Sequence, residues 1–221
     1  MLGWVYRAAQ ACEPLKRVLI ATDSEEIMEF ARERGFAAMM TPVECASGTD
    51  RVFAVAQSVE ADIYVNIQGD EPLLTPAHIE ALLAPFRSPQ VEVSTLSVPC
   101  TEDEIHNPNA VKVVTALDGR ALYFSRSAIP FDRDRVGFRG YRKHLGLYAY
   151  RKAALARFAA LSLAPLEQVE RLEQLRLLEN GLNLYVADAP GGMIGVDTES
   201  DRQAVEQILT ARRSASHSLQ T

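Results

Sequence analysis

The stretch DIYVNIQGDEPLL (Asp62–Leu74) carries the reading of the fold. Ile63, Tyr64, Val65 and Ile67 form a β-branched and aromatic run of strand length. It ends at Gln68-Gly69, then delivers two acids, Asp70 and Glu71, before Pro72. Thr75 and Pro76 follow as an N-cap and first helical residue, so TPAHIEALLAPF starts a helix. Neighbours along an extended chain face opposite ways, so Asp70 and Glu71 are not expected to share one task. The acids form either a solvated turn or the start of a metal site.

Outward from this unit, the pattern alternates strands and helices. Towards the N-terminus, MLGWVYRAAQAC reads as a helix, with Leu2, Val5, Ala8, Ala9 and Cys12 on one face. RVLIAT is a short strand, DSEEIMEFARERG a helix closed at Gly35, FAAMM a second strand and SGTDRVFAVAQSV a third helix. Short links between alternating elements argue for a parallel sheet covered on both faces. Towards the C-terminus come the strand VEVSTLSV and a hairpin around Asp118-Gly119 in AVKVVTALDGRALYFSRS. HLGLYAYR is a further strand, PLEQVERLEQLRLLENG one long helix ending at Gly181, and LNLYVADA another strand. TESDRQAVEQIL is a final helix with Thr198 and Asp201 at capping-box spacing. We expect a single domain over residues 1–212, with a β-rich insertion at about 91–150 and a disordered tail at 213–221.

Composition narrows the function. The 221-residue chain is 48% hydrophobic, enough for one well-buried α/β core. Its net charge of −6, without a basic run, disfavours nucleic acid as a partner and leaves a small anionic substrate open. Cys12, Cys45 and Cys100 are widely spaced and fit reduced cytosolic thiols. No apolar run approaches the roughly 18 residues of a membrane span, and the N-terminus lacks signal-peptide order, so a soluble cytoplasmic protein is expected.

Ligands of open α/β sheets gather beyond the carboxyl ends of the strands, where Gln68, Gly69 and Asp70 lie. Gly69 permits close backbone approach, and Asp70 is a hard oxygen donor suited to Mg²⁺. Asp197, in MIGVDTESD, either caps the last helix or joins Asp70 on one ion. The turn Ser47-Gly48-Thr49-Asp50 offers backbone N–H groups to an anion or a base edge, or is an ordinary helix cap. Lys112, Arg126, Arg142, Lys143 and His144 form a cationic set, in which Arg126 and His144 adjoin apolar strands. G-x-G-x-x-G, G-x-x-x-x-G-K-[ST] and G-x-S-x-G motifs are absent, which removes hydride transfer, P-loop chemistry and acyl transfer.

The ordered strings SGTDR, VNIQGDEPL, NPNAVKVV, YFSRSAIPF, HLGLYAYR, LEQLRLLENG and GVDTESD resemble the 3-deoxy-manno-octulosonate (Kdo) cytidylyltransferases over about residues 2–209. The resemblance implies a nucleotide-diphospho-sugar-transferase-like three-layer α/β fold with a β-rich dimerisation part, and hence a homodimer. It implies Mg²⁺-dependent transfer of CMP from CTP to Kdo, releasing pyrophosphate, for lipopolysaccharide synthesis. By motif, Asp70 and Asp197 would bind Mg²⁺, while Gln68 and Ser47-Gly48-Thr49-Asp50 would contact cytidine or sugar. Arg126, His144, Glu173 and Gln174 would face the acidic sugar, with the choice among Glu170, Glu173 and Gln174 left open. Family members start with a strand and a basic, Gly-containing phosphate loop, whereas MLGWVY resembles the helix after that loop. The strand and loop are therefore expected to be missing from this sequence. Alternatives are a truncated, non-catalytic homologue or a cytidylyltransferase for a related acidic sugar.

Overall fold

The computed structural model describes residues 1–196 and 198–218, with side chains through Ala211. In chain order the elements are α1 (Leu2–Gln10), β1 (Ile20–Thr22), α2 (Glu25–Glu33), β2 (Ala38–Met40), α3 (Gly48–Ala56) and β3 (Ile63–Asn66). Then come α4 (Pro76–Leu83), β4 (Val93–Pro99), α5 (Glu102–Ile105), β5 (Lys112–Thr115), β6 (Ala121–Ser125) and β7 (Arg142–Arg151). The chain continues through α6 (Lys152–Ala159), α7 (Pro165–Glu170), α8 (Leu175–Glu179), β8 (Leu184–Asp188) and α9 (Glu199–Ser218).

Local chemistry accounts for several starts. Ser24 caps α2 by accepting from the Ile27 N–H at 3.4 Å, and Glu25 and Glu26 favour the positive end of the helix dipole. Pro76 opens α4, where the Thr75 N–H donates to His78 Nδ1 at 3.3 Å. Gly35 adopts φ +65° just after α2, a conformation that costs glycine little.

β7 is the spine of the larger sheet. It pairs antiparallel with β4 over Arg142–Leu145 and Tyr148–Tyr150, while its other side meets β5 near Lys143 and β3 from Tyr148 to Arg151. β8 extends the sheet parallel to β4, and β5 pairs with β6 as the expected hairpin. The sheet is thus mixed. Parallel pairing, expected throughout the first part, occurs in β1 with β2 and in β4 with β8. The reason is that β7 enters the sheet between β3 and β4, separating two strands that are neighbours in sequence.

Alternation along β7 feeds two cores. Leu145, Leu147 and Ala149 join Val5, Ala9, Ile79 and Leu82 of α1 and α4 on one face. Tyr148 and Tyr150 join Ala56, Leu155, Phe158, Leu175 and Leu177 of α3, α6 and α8 on the other. Helices on both faces make the three-layer α/β fold. Each fully buried leucine contributes roughly 1.5–3 kcal/mol towards holding the layers together.

β1 and β2 form a separate two-stranded sheet. It is fastened to α1 by Tyr6, which stacks on Phe36 at 4.2 Å and accepts from the Ala37 N–H at 3.1 Å. Between β1 and β3 lies a cleft of about 1380 Å³, lined by Ile20, Ala21, Thr22, Tyr64, Val65 and Asn66 among others.

The single helix expected over 165–181 is two helices, because Arg171 adopts φ +55° and the Leu172 N–H turns back to the Glu167 carbonyl at 3.3 Å. α6 has no counterpart in the sequence reading, and α9 runs through Ser218 rather than stopping near Leu209. All three cysteines are free thiols. Among the described residues no helix is long and apolar enough to cross a membrane.

Candidate active site

The start of α3 and the end of β3 meet side by side. Ser47 caps α3, its Oγ accepting from the Asp50 N–H at 3.2 Å and donating to the Asp50 carboxylate at 3.1 Å. A Cβ on Gly48 would lie 2.9 Å from Gln68 Nε2 and 3.4 Å from Asn66 Nδ2, so the turn packs closely against these two side chains. Thr49 is fully buried. Its hydroxyl donates to Glu173 Oε2 at 2.9 Å and accepts from Asn66 Nδ2 at 3.3 Å. One side chain therefore ties the turn, the strand end and the segment between α7 and α8.

Glu173 sits in a largely buried wall, and desolvation raises its carboxyl above the ordinary range, against the hydrogen bond from Thr49. Its Oε1 and the Nε2 of Gln174 are buried without a hydrogen-bond partner in the described structure. Buried orphans of this kind usually mark a place where a ligand or ordered water completes the wall. Tyr148 and Tyr150 flank the same region, and burial raises both phenols.

Glu170 has another task. Its carboxylate accepts from Ser125 Oγ at 2.6 Å and from the Arg126 N–H at 3.0 Å. Arg126 in turn donates to the carbonyls of Glu170 at 2.8 Å, Pro108 at 3.0 Å and Arg171 at 3.4 Å. The pair clamps β6 to the left-handed turn that leads into Glu173. Lys112 is fully buried, with Nζ donating to the carbonyls of Asn107 and Ala110, and burial lowers its pKa. Arg142 is held by Ser97 and Asp188, and Lys143 by Glu104.

His144 lies on β7 with its ring edge-on to Phe124 at 5.0 Å and tilted against Tyr148 at 5.5 Å. Its Nε2 is 2.9 Å from Thr95 Oγ1. Burial lowers its pKa to about 3, so the ring is neutral at ordinary pH.

Asp70 is half-buried in the turn after β3. Its carbonyl accepts from the Val196 N–H at 3.0 Å, and a Cβ on Gly195 would stand 3.4 Å from Glu71 Oε1. The segment ending at Val196 is thus packed against the Asp70 turn across 126 residues of sequence. Asp197 lies outside the described residues. Among those described, no three His, Cys, Asp or Glu side chains converge as a metal site.

The predicted residues divide about the cleft. Ser47, Gly48 and Gln68 line the cleft, while Glu173 joins them through Thr49. Arg126 just after β6, and His144 on β7, stand outside the cleft lining. Sequence reasoning passed over Asn66 and Thr95, both buried polar residues in strands. Their signal was present, because a polar side chain at an inward strand position needs a partner.

A family model described as cytidylyltransferase matches residues 1–185. A protein named 3-deoxy-manno-octulosonate cytidylyltransferase from Acidobacterium capsulatum is 72% identical over 213 residues, covering 96% of this chain and 87% of that one. Its namesake from Koribacter versatilis is 54% identical over 212 residues, covering 96% and 81%. The solved structure of CMP:2-keto-3-deoxy-manno-octonic acid synthetase complexed with CTP superposes with a TM-score of 0.91 at 38% identity, covering 96% of this chain and 88% of that one. The chain belongs to the cytidylyltransferase family, and within it to the 3-deoxy-manno-octulosonate cytidylyltransferases.

Proposed function

We propose that this chain transfers CMP from CTP to Kdo, giving CMP-Kdo and pyrophosphate, an activation step for lipopolysaccharide synthesis. The observation that carries the proposal is the Thr49 bridge, which joins the turn at the start of α3 to Glu173. An acceptor-side carboxyl is thereby fixed beside the turn offered to the nucleotide. In the reaction, the anomeric hydroxyl oxygen of the sugar bonds to the α-phosphorus. The bond from that phosphorus to the α,β-bridging oxygen breaks, pyrophosphate leaves, and the hydroxyl proton passes to solvent. Such chemistry needs alignment and charge neutralisation rather than a covalent protein intermediate.

Ser47, Gly48, Thr49, Asp50 and Gln68 are the proposed contacts to cytidine or sugar, and Arg126, His144, Glu173 and Gln174 the acceptor side. The orphaned atoms of Glu173 and Gln174 favour the acceptor assignment. The clamp of Arg126 on three carbonyls gives that residue a part in shaping the wall.

Asp70 and Asp197 are the proposed holders of Mg²⁺. The donor set fits: carboxylate oxygens are hard ligands, and Mg²⁺ on a nucleotide needs only one or two of them beside phosphate oxygens and water. The Val196–Asp70 hydrogen bond supports the pairing. When bound, the ion supplies positive charge to the phosphates. A cytoplasmic location and a dimer through the β-rich part at about 91–150 belong to the same proposal. Exposed Leu122, Phe131 and Val136 in that part are consistent with a partner surface.

Mixing the protein with CTP, Kdo and Mg²⁺ should release pyrophosphate steadily, and a panel of related acidic sugars should rank Kdo first. The cleft between β1 and β3, open beside the turn offered to the nucleotide, favours a second reading, in which this chain binds substrates without turnover. Steady release excludes that reading; binding without release replaces the first with it.

A further inference from the structure

β7 carries an irregularity that reaches the proposed acceptor side. Thr95 pairs with Tyr148 and Leu96 with Leu145, so the partner number falls by three where regular pairing requires one. Two extra residues, Gly146 and Leu147, bulge out of the ladder. The Thr95 hydroxyl fills the bulge, 2.7 Å from the Leu147 carbonyl oxygen, 3.2 Å from that of Leu145 and 2.9 Å from His144 Nε2.

A hydroxyl has one proton to donate and lone pairs to accept with. Both carbonyls can only accept. Were the Thr95 proton given to His144, two oxygens would face each other at 2.7 Å with no hydrogen between them. The proton therefore goes to Leu147, the nearer carbonyl, and the Thr95 oxygen must accept from the histidine. That requires hydrogen on Nε2. Nδ1 is then a bare acceptor, and no described residue donates to it.

We propose that Thr95 is a positioning residue, which holds His144 in the Nε2–H tautomer and leaves Nδ1 to accept from a hydroxyl of the acidic sugar. The neutral state of the ring agrees with this, since a protonated ring would have no acceptor. The inference rests on the proposed cytidylyltransferase reaction for its ligand, but the tautomer itself does not depend on it.

The tautomer is read from ring ¹⁵N resonances of protein labelled at histidine, with His144 assigned by a His144→Gln variant. The free protein should show His144 protonated at Nε2 and bare at Nδ1, and adding Kdo with CTP should move the Nδ1 resonance in the direction of hydrogen-bond acceptance. Thr95→Val should give a mixture of tautomers and raise the KM for Kdo about tenfold, the effect of one lost hydrogen bond. Its KM for CTP should stay within about twofold, since the hydroxyl acts on the acceptor side alone. Thr95→Ser, which keeps the hydroxyl, should restore both readings. A proton on Nδ1 in the free wild-type protein overturns the proposal even if Thr95→Val does not fold. An Nδ1 resonance unmoved by sugar during active turnover overturns the acceptor role. The predicted tautomer in a protein that neither binds nor converts Kdo overturns the reaction and leaves the Thr95–His144 assignment standing.

Discussion

The two sheets of this molecule are built to different standards. In the larger one, β7 has neighbours along both sides and a packed core on both faces. Its polar groups are also matched: Thr95 fills the bulge, Ser94 donates to the Leu82 carbonyl at 2.6 Å, and Arg151 donates to the carbonyl of Val91 at 2.8 Å. In the smaller sheet, β1 pairs with β2 alone and turns its other edge to the cleft. The proposed nucleotide turn stands at the boundary between them. Its backing, through Thr49, Asn66 and Glu173, comes from the elements around the larger sheet. Backing for the reaction is supplied from one side, and the opposite wall rests on a two-stranded sheet.

Core truncation is the most forceful way to break the contrast. Leu147 is fully enclosed, so Leu147→Ala should cost about 2–5 kcal/mol, read from chemical denaturation. Ile20 beside the cleft can be replaced by alanine at the lower end of that range, roughly 2 kcal/mol, because its surroundings have room to collapse. Equal losses at the two positions would remove the difference. Next in size is Asp70→Asn, which should cut turnover about a hundredfold or more, worth roughly 2.7 kcal/mol of barrier, while leaving the melting temperature nearly unchanged. Near-normal turnover would dismiss Asp70 from the proposed metal site.

Backbone dynamics sharpen the comparison further. Amides of β1 and β2 should exchange with solvent well before those of β4 and β7, since short strands beside an open cleft belong to the least protected units. Exchange at one common rate would show the sheets opening together. The smallest expected effect is at Glu173. Its carboxyl holds a proton more tightly folded than unfolded, so its contribution to stability declines as pH rises from the ordinary carboxylate range through the raised folded value. Glu173→Gln should therefore be more stable than wild type at pH 7, with the difference shrinking towards pH 4. Denaturation curves at both values check this, and a gain independent of pH would contradict it.

Features governed by neighbouring residues were legible in the sequence. The strand at Ile63, the helix start at Pro76 and the hairpin around Gly119 follow from side-chain alternation, fixed φ and turn chemistry. Partner choice was not legible, because the entry of β7 between β3 and β4 depends on contacts across as many as 88 residues, Ile63 to Arg151. The break at Arg171 was hidden for a related reason: the apolar spacing suits one helix, and the turn is held by the clamp to β6. At the site, the Ser47–Asp50 turn and Glu173 could be named from motifs. Their connection through a buried threonine, and the engagement of Arg126 by carbonyls, required three dimensions.

The cleft has a further consequence for molecules in company. Strands that present unpaired N–H and C=O groups are templates for another chain. The facing edges of β1 and β3 border an opening with apolar lining, so an extended segment from a second molecule can add itself there. Growth by strand addition would show as light scattering that climbs with protein concentration. Such growth would start at the cleft rather than at β4 and β7, each of which has strand partners on both sides.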